Sequence, residues 1–579
     1  MNVQEGDGSR GARGDPSLRF GINFLAAIFF LLLATALTWP LARELDTAVA
    51  DLGDPLLNTW ILDWDCHALT HDPLHLYDAP IFYPDRYPLA YSENLVGIAL
   101  VVLPFHLAGA SPIAVHNIAM LLGFAFSGFG AFVLARVVTR NTFASLIGGI
   151  VYAFVSFRFD HLAHVQIVWG GWLPLLLAAL IVYWRTPDTR RAALLCGAFV
   201  MNGLTNIHWL LMGSFALAIT IVVLALNEPR RDRRFWIQLI GALAIGGLVL
   251  LPFLIPYRIV SNLYRMKRFP GEIAIGSATL ADWLRATPRS FLYGVPDPSA
   301  LHAERRHFPG IVVLLLASCA WRWRSVGVVM LAAIAMAFVP GFTMSTALPL
   351  LLAAAFGFWL LRRRDPNFKP SPAAVWLTIG FLGSLGTHAF LHPVLFRIIE
   401  PFRAIRAPAR WAMIAYVGLA LLAAIGTVEL TKRWKRVAPL ILILALVDVT
   451  PRIEWKHADP HVAPVYRWLA QERPRAAIEL PMSGNGVQAL YLLASTSHHV
   501  PIMNGASGWD GPTHAKLREK GERGEYDEEF LRIVENAGCE IVIVHGSDPA
   551  MDGMLARLRF VRAFGGDRVY SMRERKRTS

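Results

Sequence analysis

The residues with the clearest chemical potential lie in polar stretches between long apolar runs. The first stretch, DLGDPLLNTWILDWDCHALTHDPLHLYDAPIFYPDRYPLAYSEN (51–94), holds eight acidic residues among many aromatic ones. A carboxylate can accept the proton of an attacking hydroxyl group, and aromatic faces can stack on sugar rings. Such a stretch suggests carbohydrate chemistry, although aromatic side chains also gather at membrane interfaces without binding anything.

Asp54 is a candidate for a catalytic base, because the turn-like Gly53-Asp54-Pro55 directly follows the first long apolar run. A structural role in the turn is the alternative. Solvent-exposed roles are the simpler interpretation for three other acids of the stretch, Asp72, Asp78 and Asp85.

Two further polar clusters are candidates for binding. In FRFDHLAHVQ, Arg158 precedes His161 and His164, and the two histidines would share a face if this segment is helical. They could bind phosphate, a sugar or a metal ion, or be interfacial side chains. In PFRAIRAPAR, Arg403, Arg406 and Arg410 precede an apolar run, and Pro408 prevents a continuous helix. Guanidinium groups match phosphate oxygens, which favours phosphate binding over a solvated face.

The composition of the chain indicates that it is a membrane protein. Of the 579 residues, 55% are hydrophobic and 17% are charged, against roughly a quarter charged in soluble proteins. The net charge of +13 comes from short Lys/Arg clusters between apolar runs, and this pattern marks membrane topology rather than nucleic-acid binding.

No cofactor is predicted, and the sequence does not decide whether a divalent metal ion binds. The sequence contains no GxGxxG, P-loop or HExxH motif and no CxxC pair, and its four cysteines are scattered. This excludes a disulfide framework and a zinc finger.

A spanning helix needs about 20 mostly apolar residues. About thirteen runs approach that length: 20–41, 112–136, 142–157, 165–184, 190–206, 208–227, 234–256, 308–322, 325–341, 343–361, 372–391, 411–431 and 436–450.

The short apolar segment 93–108 decides the sidedness of everything after it. If it lies along the interface, every later basic cluster between spans becomes cytoplasmic, as the positive-inside rule requires. These six clusters are Arg136/Arg140, Arg185/Arg190/Arg191, Arg230–Arg234, Arg322/Arg324, Arg362–Arg364 and Lys432–Arg436. The outer face would then carry 42–111, 158–164, 206–208, 257–307, 392–410 and the chain from 451.

Three parts follow from this register. Residues 1–19 are predicted to form a polar cytoplasmic tail, and 20–450 a helical membrane domain. In 451–579, strand-like runs such as AAIEL and EIVIVHG alternate with helical patterns, which predicts a small extracytoplasmic α/β domain.

The order of these features resembles the GT-C glycosyltransferase superfamily. The resemblance lies in one span, an acidic loop with GDPLLNTW, an interfacial helix and a span ending in LAR before a basic turn. It covers about the first 260 residues. The stretch FRAIRAPAR and the tail pattern ELPM…YLLASTSHHVPIMNG…AGCEIVIVHG are similar to bacterial membrane proteins usually grouped with that superfamily.

The resemblance implies an inverting transfer of a sugar from a polyprenyl-phosphate donor, on the outer face of a bacterial inner membrane. The acceptor would be an envelope glycan, lipid or protein. Asp54 matches the position of the base, and Glu93 matches the second acid at the end of the loop. Many relatives have two adjacent acidic residues at this position, whereas the neighbours of Asp54 are Gly53 and Pro55. Asp63 or Asp65 therefore remains an alternative for the base.

Two other functions remain open. A flippase or transporter for a lipid-linked saccharide would also have many spans, but it predicts ionisable residues at mid-membrane depth and internal repeats, and neither is evident. The other is a non-catalytic envelope scaffold. A transferase predicts that Asp54, His161 and the Arg403–Arg410 group meet at one outward cavity.

Overall fold

The computed structural model describes residues 16–228, 231–294, 303–320, 371–459 and 461–572. Two predicted spans, 325–341 and 343–361, lie outside the described residues, as does most of the predicted tail 1–19.

The described chain is mostly helical. Seven helical segments are long and apolar enough to cross a membrane: Phe20–Leu37, Pro112–Thr139, Thr142–Asp160, Val165–Arg185, Ile207–Asn227, Arg233–Leu263 and Pro408–Arg433. Shorter helices occupy Val96–Leu107, Thr189–Thr205, Ile311–Cys319, Pro372–Ser384 and Ala438–Val449. The chain is therefore a multi-pass membrane protein, and these helices do not establish the predicted count of thirteen.

The segment 93–108 forms a helix from Val96 to Leu107 with 12 residues. At 1.5 Å per residue this helix is about 18 Å long. The hydrocarbon core of a bilayer is about 30 Å thick, so the helix is too short to cross it.

Small residues bring the membrane helices close together. A Cβ atom on Gly418 would lie 2.5 Å from the carbonyl oxygen of Ala373, and one on Gly380 would lie 2.1 Å from the backbone nitrogen of Ala415. The helices Pro372–Ser384 and Ala412–Arg433 thus pack backbone against backbone. Close packing of this kind stabilises helix pairs in lipid, where burial of apolar surface provides no driving force.

The chain beyond Val449 contains a four-stranded sheet. Its strands are β3 (Ala477–Leu480), β4 (Ile541–His545), β5 (Arg559–Phe564) and β6 (Asp567–Ser571), in the spatial order β3-β4-β6-β5. The pair β3-β4 is parallel and the other two pairs are antiparallel. A parallel pair requires a long crossover, which contains the helices Asn485–Ser495, Pro512–Glu522 and Glu528–Asn536.

The C-terminal region, defined as residues 450–572, packs directly on the first outer loop, 42–111. The helix Asp54–His71 lies against the helix Asn485–Ser495, and Trp60 Nε1 donates a hydrogen bond of 2.9 Å to Ser495 Oγ. Two short strands, β1 (Ala48–Val49) and β2 (Lys456–His457), pair antiparallel and join the first loop to the start of this region.

Candidate active site

A cavity of about 310 Å³ lies where the membrane helices meet the C-terminal region. Residues from all six stretches assigned to the outer face line it, so these stretches lie at one end of the helix layer. They include Asp54, Glu93, His164, His208, Arg268, Arg406, Arg410 and Trp509.

Asp54 is the first residue of the helix Asp54–His71. A carboxylate is favoured there by the unpaired backbone N–H groups and the positive end of the helix dipole. Asp54 Oδ2 lies 3.3 Å from His164 Nε2, and 59% of the Asp54 side chain is exposed. The hydrogen bond to His164 lowers the pKa of Asp54, and the charges of Arg406 and Arg410 lower it further. The carboxyl group is therefore ionised and accessible at neutral pH.

Helical periodicity decides which other residues of this helix face the cavity. Leu57 and Asn58, one turn after Asp54, line it. Asn58 Nδ2 donates to the carbonyl oxygens of Asp54 and Ala163, at 2.9 Å and 2.7 Å, and so ties the turn before His164 to the helix. Asp63 follows Asp54 by nine residues. At about 100° per residue it lies on the opposite face.

Asp63 is accordingly buried away from the cavity. Its Oδ2 atom lies 2.9 Å from His499 Nε2, and its Oδ1 atom lies 3.6 Å from His106 Nδ1. The alternative Asp65 is also buried, and it accepts a hydrogen bond of 2.8 Å from the backbone N–H of Leu95. Burial raises the pKa of Asp65 to about 8. Neither acid is placed to act on a ligand in the cavity.

His161 does not line the cavity, but it contacts Glu304, which pairs with the lining residue Arg410. Its helical segment ends at Asp160, yet the His161 and His164 rings lie next to each other, with centroids 5.7 Å apart. His161 Nε2 lies 3.2 Å from Glu304 Oε2, and Glu304 Oε1 accepts from Arg410 Nη2 at 2.7 Å. Burial raises the pKa of Glu304, but the charges of Arg410 and His161 outweigh this effect and hold it well below its usual value.

Glu93 lies on another wall of the cavity, 2.5 Å from His208 Nδ1. Burial raises the pKa of Glu93, but His208 and Arg410 outweigh it, so the pKa is lowered overall. A close helix contact forms this pair. A Cβ atom on Gly97 would lie 2.5 Å from Thr205 Oγ1, so only glycine lets the helix that follows Glu93 approach the chain just before His208.

Three guanidinium groups concentrate positive charge in the cavity. Arg406 and Arg410 come from the irregular segment between the helix Leu391–Ile398 and the helix Ala412–Arg433, and Arg268 comes from the opposite side. Burial and the charge of Arg406 lower the pKa of Arg268 to about 10, which leaves it charged at neutral pH. Among the described residues, the buried Arg268 Nε atom has no hydrogen-bond partner. Such an arrangement favours an anion.

Arg403 lies outside this cavity, in a groove of about 830 Å³. Its guanidinium group donates to the carbonyl oxygens of Phe396 and Arg397, each at 3.2 Å. Seven residues line both spaces, Arg268 and Trp509 among them, so the groove adjoins the cavity. Its lining is largely apolar and includes Leu210, Leu211, Leu254, Val260 and Phe396.

Arg158 does not line the cavity, contrary to the expectation of substrate binding. It is buried, and its guanidinium group donates to the carbonyl oxygens of Tyr152, Ile167 and Val168. These bonds hold the ends of the turn that contains His161 and His164. Arg158 thus stabilises the backbone of this turn and does not contact a ligand in the cavity.

Four residues of the site were not predicted from the sequence: His208, Arg268 and Trp509, which line the cavity, and Glu304, which pairs with Arg410. His208 had one signal, since it lies in the short 206–208 connection assigned to the outer face. The others occur in long irregular stretches without a motif, and only the folded chain brings them together. No group of three or more His, Cys, Asp or Glu side chains in the described part of the chain is arranged to hold a metal ion.

Comparisons with known proteins support the fold. No protein-family model and no curated protein matches the sequence. Among solved structures, the arabinofuranosyltransferase AftD from Mycobacteria aligns with 95% of this chain at 15% identity and a TM-score of 0.54. This chain spans only 40% of the AftD chain.

Two other solved structures align over most of this chain with lower TM-scores. The oligosaccharyltransferase AglB from Archaeoglobus fulgidus covers 96% of this chain and is itself covered to 74%, at 11% identity and a TM-score of 0.47. ArnT from Cupriavidus metallidurans covers 96% and is covered to 98%, at 15% identity and a TM-score of 0.37. The helical membrane architecture and the similarity to AftD show that this chain shares the fold of the aligned part of AftD, which is a GT-C glycosyltransferase.

Proposed function

We propose that the protein is an inverting glycosyltransferase that moves a sugar from a polyprenyl-phosphate donor to a hydroxyl group of an extracytoplasmic acceptor. One observation carries this proposal: an accessible carboxylate, Asp54, shares a cavity with Arg268, Arg406 and Arg410, and this cavity adjoins an apolar groove. A base, an anion site and a lipid site are the three parts that such a transfer requires.

The apolar groove suits the polyprenyl chain. Its leucine, valine and phenylalanine side chains offer an apolar surface, and its basic rim includes Lys267, Arg268 and Arg403. A lipid lying in the groove would bring its phosphate to the junction with the cavity, where Arg268 lies in both linings. Arg403 would then contact the lipid near its phosphate, and Arg406 and Arg410 would face the phosphate from inside the cavity.

The reaction follows from this placement. Asp54 accepts the proton of the acceptor hydroxyl as its oxygen attacks the anomeric carbon of the donor sugar. The bond from that carbon to the phosphate oxygen breaks, and the polyprenyl phosphate leaves with the bonding electrons. The guanidinium groups stabilise the negative charge that develops on the leaving oxygen, which is commonly the largest contribution to catalysis. A single displacement inverts the anomeric centre.

His164 and Glu93 have supporting roles in this proposal. Burial lowers the pKa of His164, so its imidazole is neutral at pH 7 and donates to Asp54 from Nε2. This contact fixes the direction of the Asp54 carboxylate. Glu93, held by His208, can accept hydrogen bonds from the hydroxyl groups of the sugar.

The membrane placement belongs to the same proposal. The cavity would face the outside of a bacterial inner membrane, with the N-terminus in the cytoplasm and the C-terminal region in the periplasm. The basic clusters Arg136/Arg140, Arg185/Arg190/Arg191 and Lys432–Arg436 support this orientation, because they mark the opposite ends of the helices as cytoplasmic.

The direct test uses the purified full-length protein in proteoliposomes with defined polyprenyl-phosphate sugars. Transfer of labelled sugar to an added envelope extract, with release of polyprenyl phosphate, is the expected result. Movement of the intact donor across the bilayer without release of polyprenyl phosphate would indicate a flippase and overturn the proposal.

A further inference from the structure

The C-terminal region supplies part of the wall of the cavity. Four of its residues line the cavity, namely Asn485, Ser507, Gly508 and Trp509. None of the four has an ionisable side chain, whereas the facing walls carry acids, arginines and histidines. The cavity thus has a charged side, built by the membrane helices and their loops, and a neutral side, built by the C-terminal region.

The neutral wall still offers polar groups to a ligand. Among the described residues, no hydrogen bond engages Ser507 Oγ or Trp509 Nε1. Asn485 Oδ1 accepts a hydrogen bond of 3.0 Å from Arg518, and its amide nitrogen is a further donor. The wall therefore combines a hydroxyl group, an amide and an indole N–H.

Trp509 is held in place from the charged side. The Arg268 guanidinium carbon lies 4.2 Å from the centre of the Trp509 ring, and Arg268 Nη2 donates a hydrogen bond of 3.2 Å to the carbonyl oxygen of Gly508. These two contacts fix the loop that carries Ser507 and Trp509. A fixed loop loses little entropy when a ligand binds.

We propose that this wall is the acceptor site and that the acceptor is a saccharide. The inference rests on the proposed function and adds the chemical class of its second substrate. Neutral hydrogen-bonding groups beside an aromatic side chain match the hydroxyl groups and C–H faces of a sugar. A charged acceptor group such as an ammonium would be left unpaired on this wall, which is costly in a partly buried site.

The position of the wall agrees with this assignment. An acceptor bound to Ser507 and Trp509 would share the cavity with Asp54, as the proton transfer to that carboxylate requires. The donor phosphate occupies the side of Arg406 and Arg410. The two substrates thus approach the reacting carbon from different sides.

The test compares Ser507→Ala and Trp509→Phe with Ser497→Ala, which changes an exposed serine of the same region that does not line the cavity. Trp509→Phe keeps an aromatic ring beside Arg268 but removes the indole N–H together with the five-membered ring that carries it. Three quantities are measured for each full-length variant in proteoliposomes: the KM for an oligosaccharide acceptor, the KM for the donor, and the slow release of sugar to water without an acceptor.

We expect both cavity variants to raise the KM for the oligosaccharide by about threefold to tenfold, the range of one neutral hydrogen bond. The donor KM should stay at the wild-type value in Ser507→Ala, because Ser507 lines the cavity but not the groove, and Ser497→Ala should match wild type throughout. An unchanged oligosaccharide KM in both cavity variants, or transfer to a peptide or a lipid amine but not to any saccharide, would overturn the acceptor assignment while the proposed function stands. If the wild-type protein releases no sugar from any donor, the proposed function itself fails.

Discussion

His164 Nε2 lies 3.3 Å from Asp54 Oδ2, and this contact joins two polar stretches separated by three helical segments. Asn58 links the same two stretches, since its side-chain amide donates to the carbonyl oxygens of both Asp54 and Ala163. The direction of the Asp54 carboxylate is therefore determined by a turn more than a hundred residues away along the chain.

Replacing Asp54 with Asn should abolish transfer without unfolding the protein. The amide keeps the size of the side chain but cannot accept the proton, and a general base contributes about 10²- to 10⁴-fold to the rate. The measurement is the turnover of labelled donor in proteoliposomes. Asp72→Asn is the matched control, because Asp72 ends the same helix and pairs with His75 outside the cavity. Near-normal turnover in Asp54→Asn would make Asp54 a structural residue of the turn.

Replacing Arg406 with Ala should weaken donor binding by about 1.5–3 kcal/mol, the contribution of a hydrogen bond to a charged group. Arg406→Lys should restore part of the lost binding energy, because lysine keeps the positive charge but lacks the planar guanidinium group that binds two phosphate oxygens at once. Arg403→Ala should have a smaller effect, since Arg403 lies in the groove and bonds to backbone carbonyls. Binding of a fluorescent polyprenyl phosphate measures the difference, with the exposed Arg532→Ala as control.

Arg410 needs a different substitution. Its guanidinium group neutralises Glu304, so Arg410→Ala would remove the permanent positive charge beside a largely buried carboxylate and destabilise the fold. Arg410→Lys keeps the charge and is the variant to use for donor binding. If Arg403→Ala, Arg406→Ala and Arg410→Lys all bind the donor like wild type, the phosphate assignment is wrong.

Replacing Gly97 with Val should disrupt the approach of the helix Val96–Leu107 to Thr205. Overpacking of this kind typically costs about 1–3 kcal/mol, and here it would also separate Glu93 from His208. We expect a lower thermal unfolding temperature together with reduced turnover. Gly197→Val is the control, because a Cβ atom on Gly197 meets no atom within 4 Å. Equal behaviour of the two variants would contradict the proposed contact.

His545 should make stability depend on pH. Burial lowers the pKa of His545, but bonds of 2.9 Å to Glu479 and to Asp567 outweigh this and raise it. The charged imidazole therefore stabilises the folded state below about pH 6.5, the value for an unfolded chain. This contribution is lost as the pH rises through the higher pKa of the folded state.

The comparison of wild type with His545→Gln checks this expectation. Unfolding temperatures measured from pH 5 to pH 9 should differ most at the acid end and converge at the alkaline end. A difference that grows with pH would mean that the histidine is neutral in the folded protein.

The proposed sidedness predicts opposite labelling of two engineered cysteines. Ser497 lies exposed in the C-terminal region, and Thr186 lies exposed in the turn between two membrane helices beside a basic cluster. In a background lacking the two more accessible native cysteines, Cys196 and Cys319, a membrane-impermeant maleimide should label Ser497→Cys in spheroplasts. Thr186→Cys should react only after permeabilisation. Labelling of both positions from one side would overturn the topology.

Sequence alone was sufficient for the membrane class and for much of the site. Apolar runs and their basic flanks predict helices and their ends, because lipid forces the backbone to bond within each helix. The match between guanidinium groups and phosphate oxygens pointed to Arg403, Arg406 and Arg410, and the last two of these line the cavity. Asp54 was predicted from its turn after the first span and from the family resemblance, and it lies in the cavity with them.

Tertiary structure decided which side chains share the cavity. Asp63 and Asp54 occur in one acidic stretch, but the helix that contains both places Asp63 on the opposite face, where it pairs with His499. Arg158 was predicted to bind substrate, but its guanidinium group donates to backbone carbonyl oxygens such as that of Ile167. Glu304 and Trp509 come from loops far apart in sequence. Their positions depend on long-range packing, in which a single glycine contact or ion pair selects one arrangement, and such contacts leave no periodic pattern in the sequence.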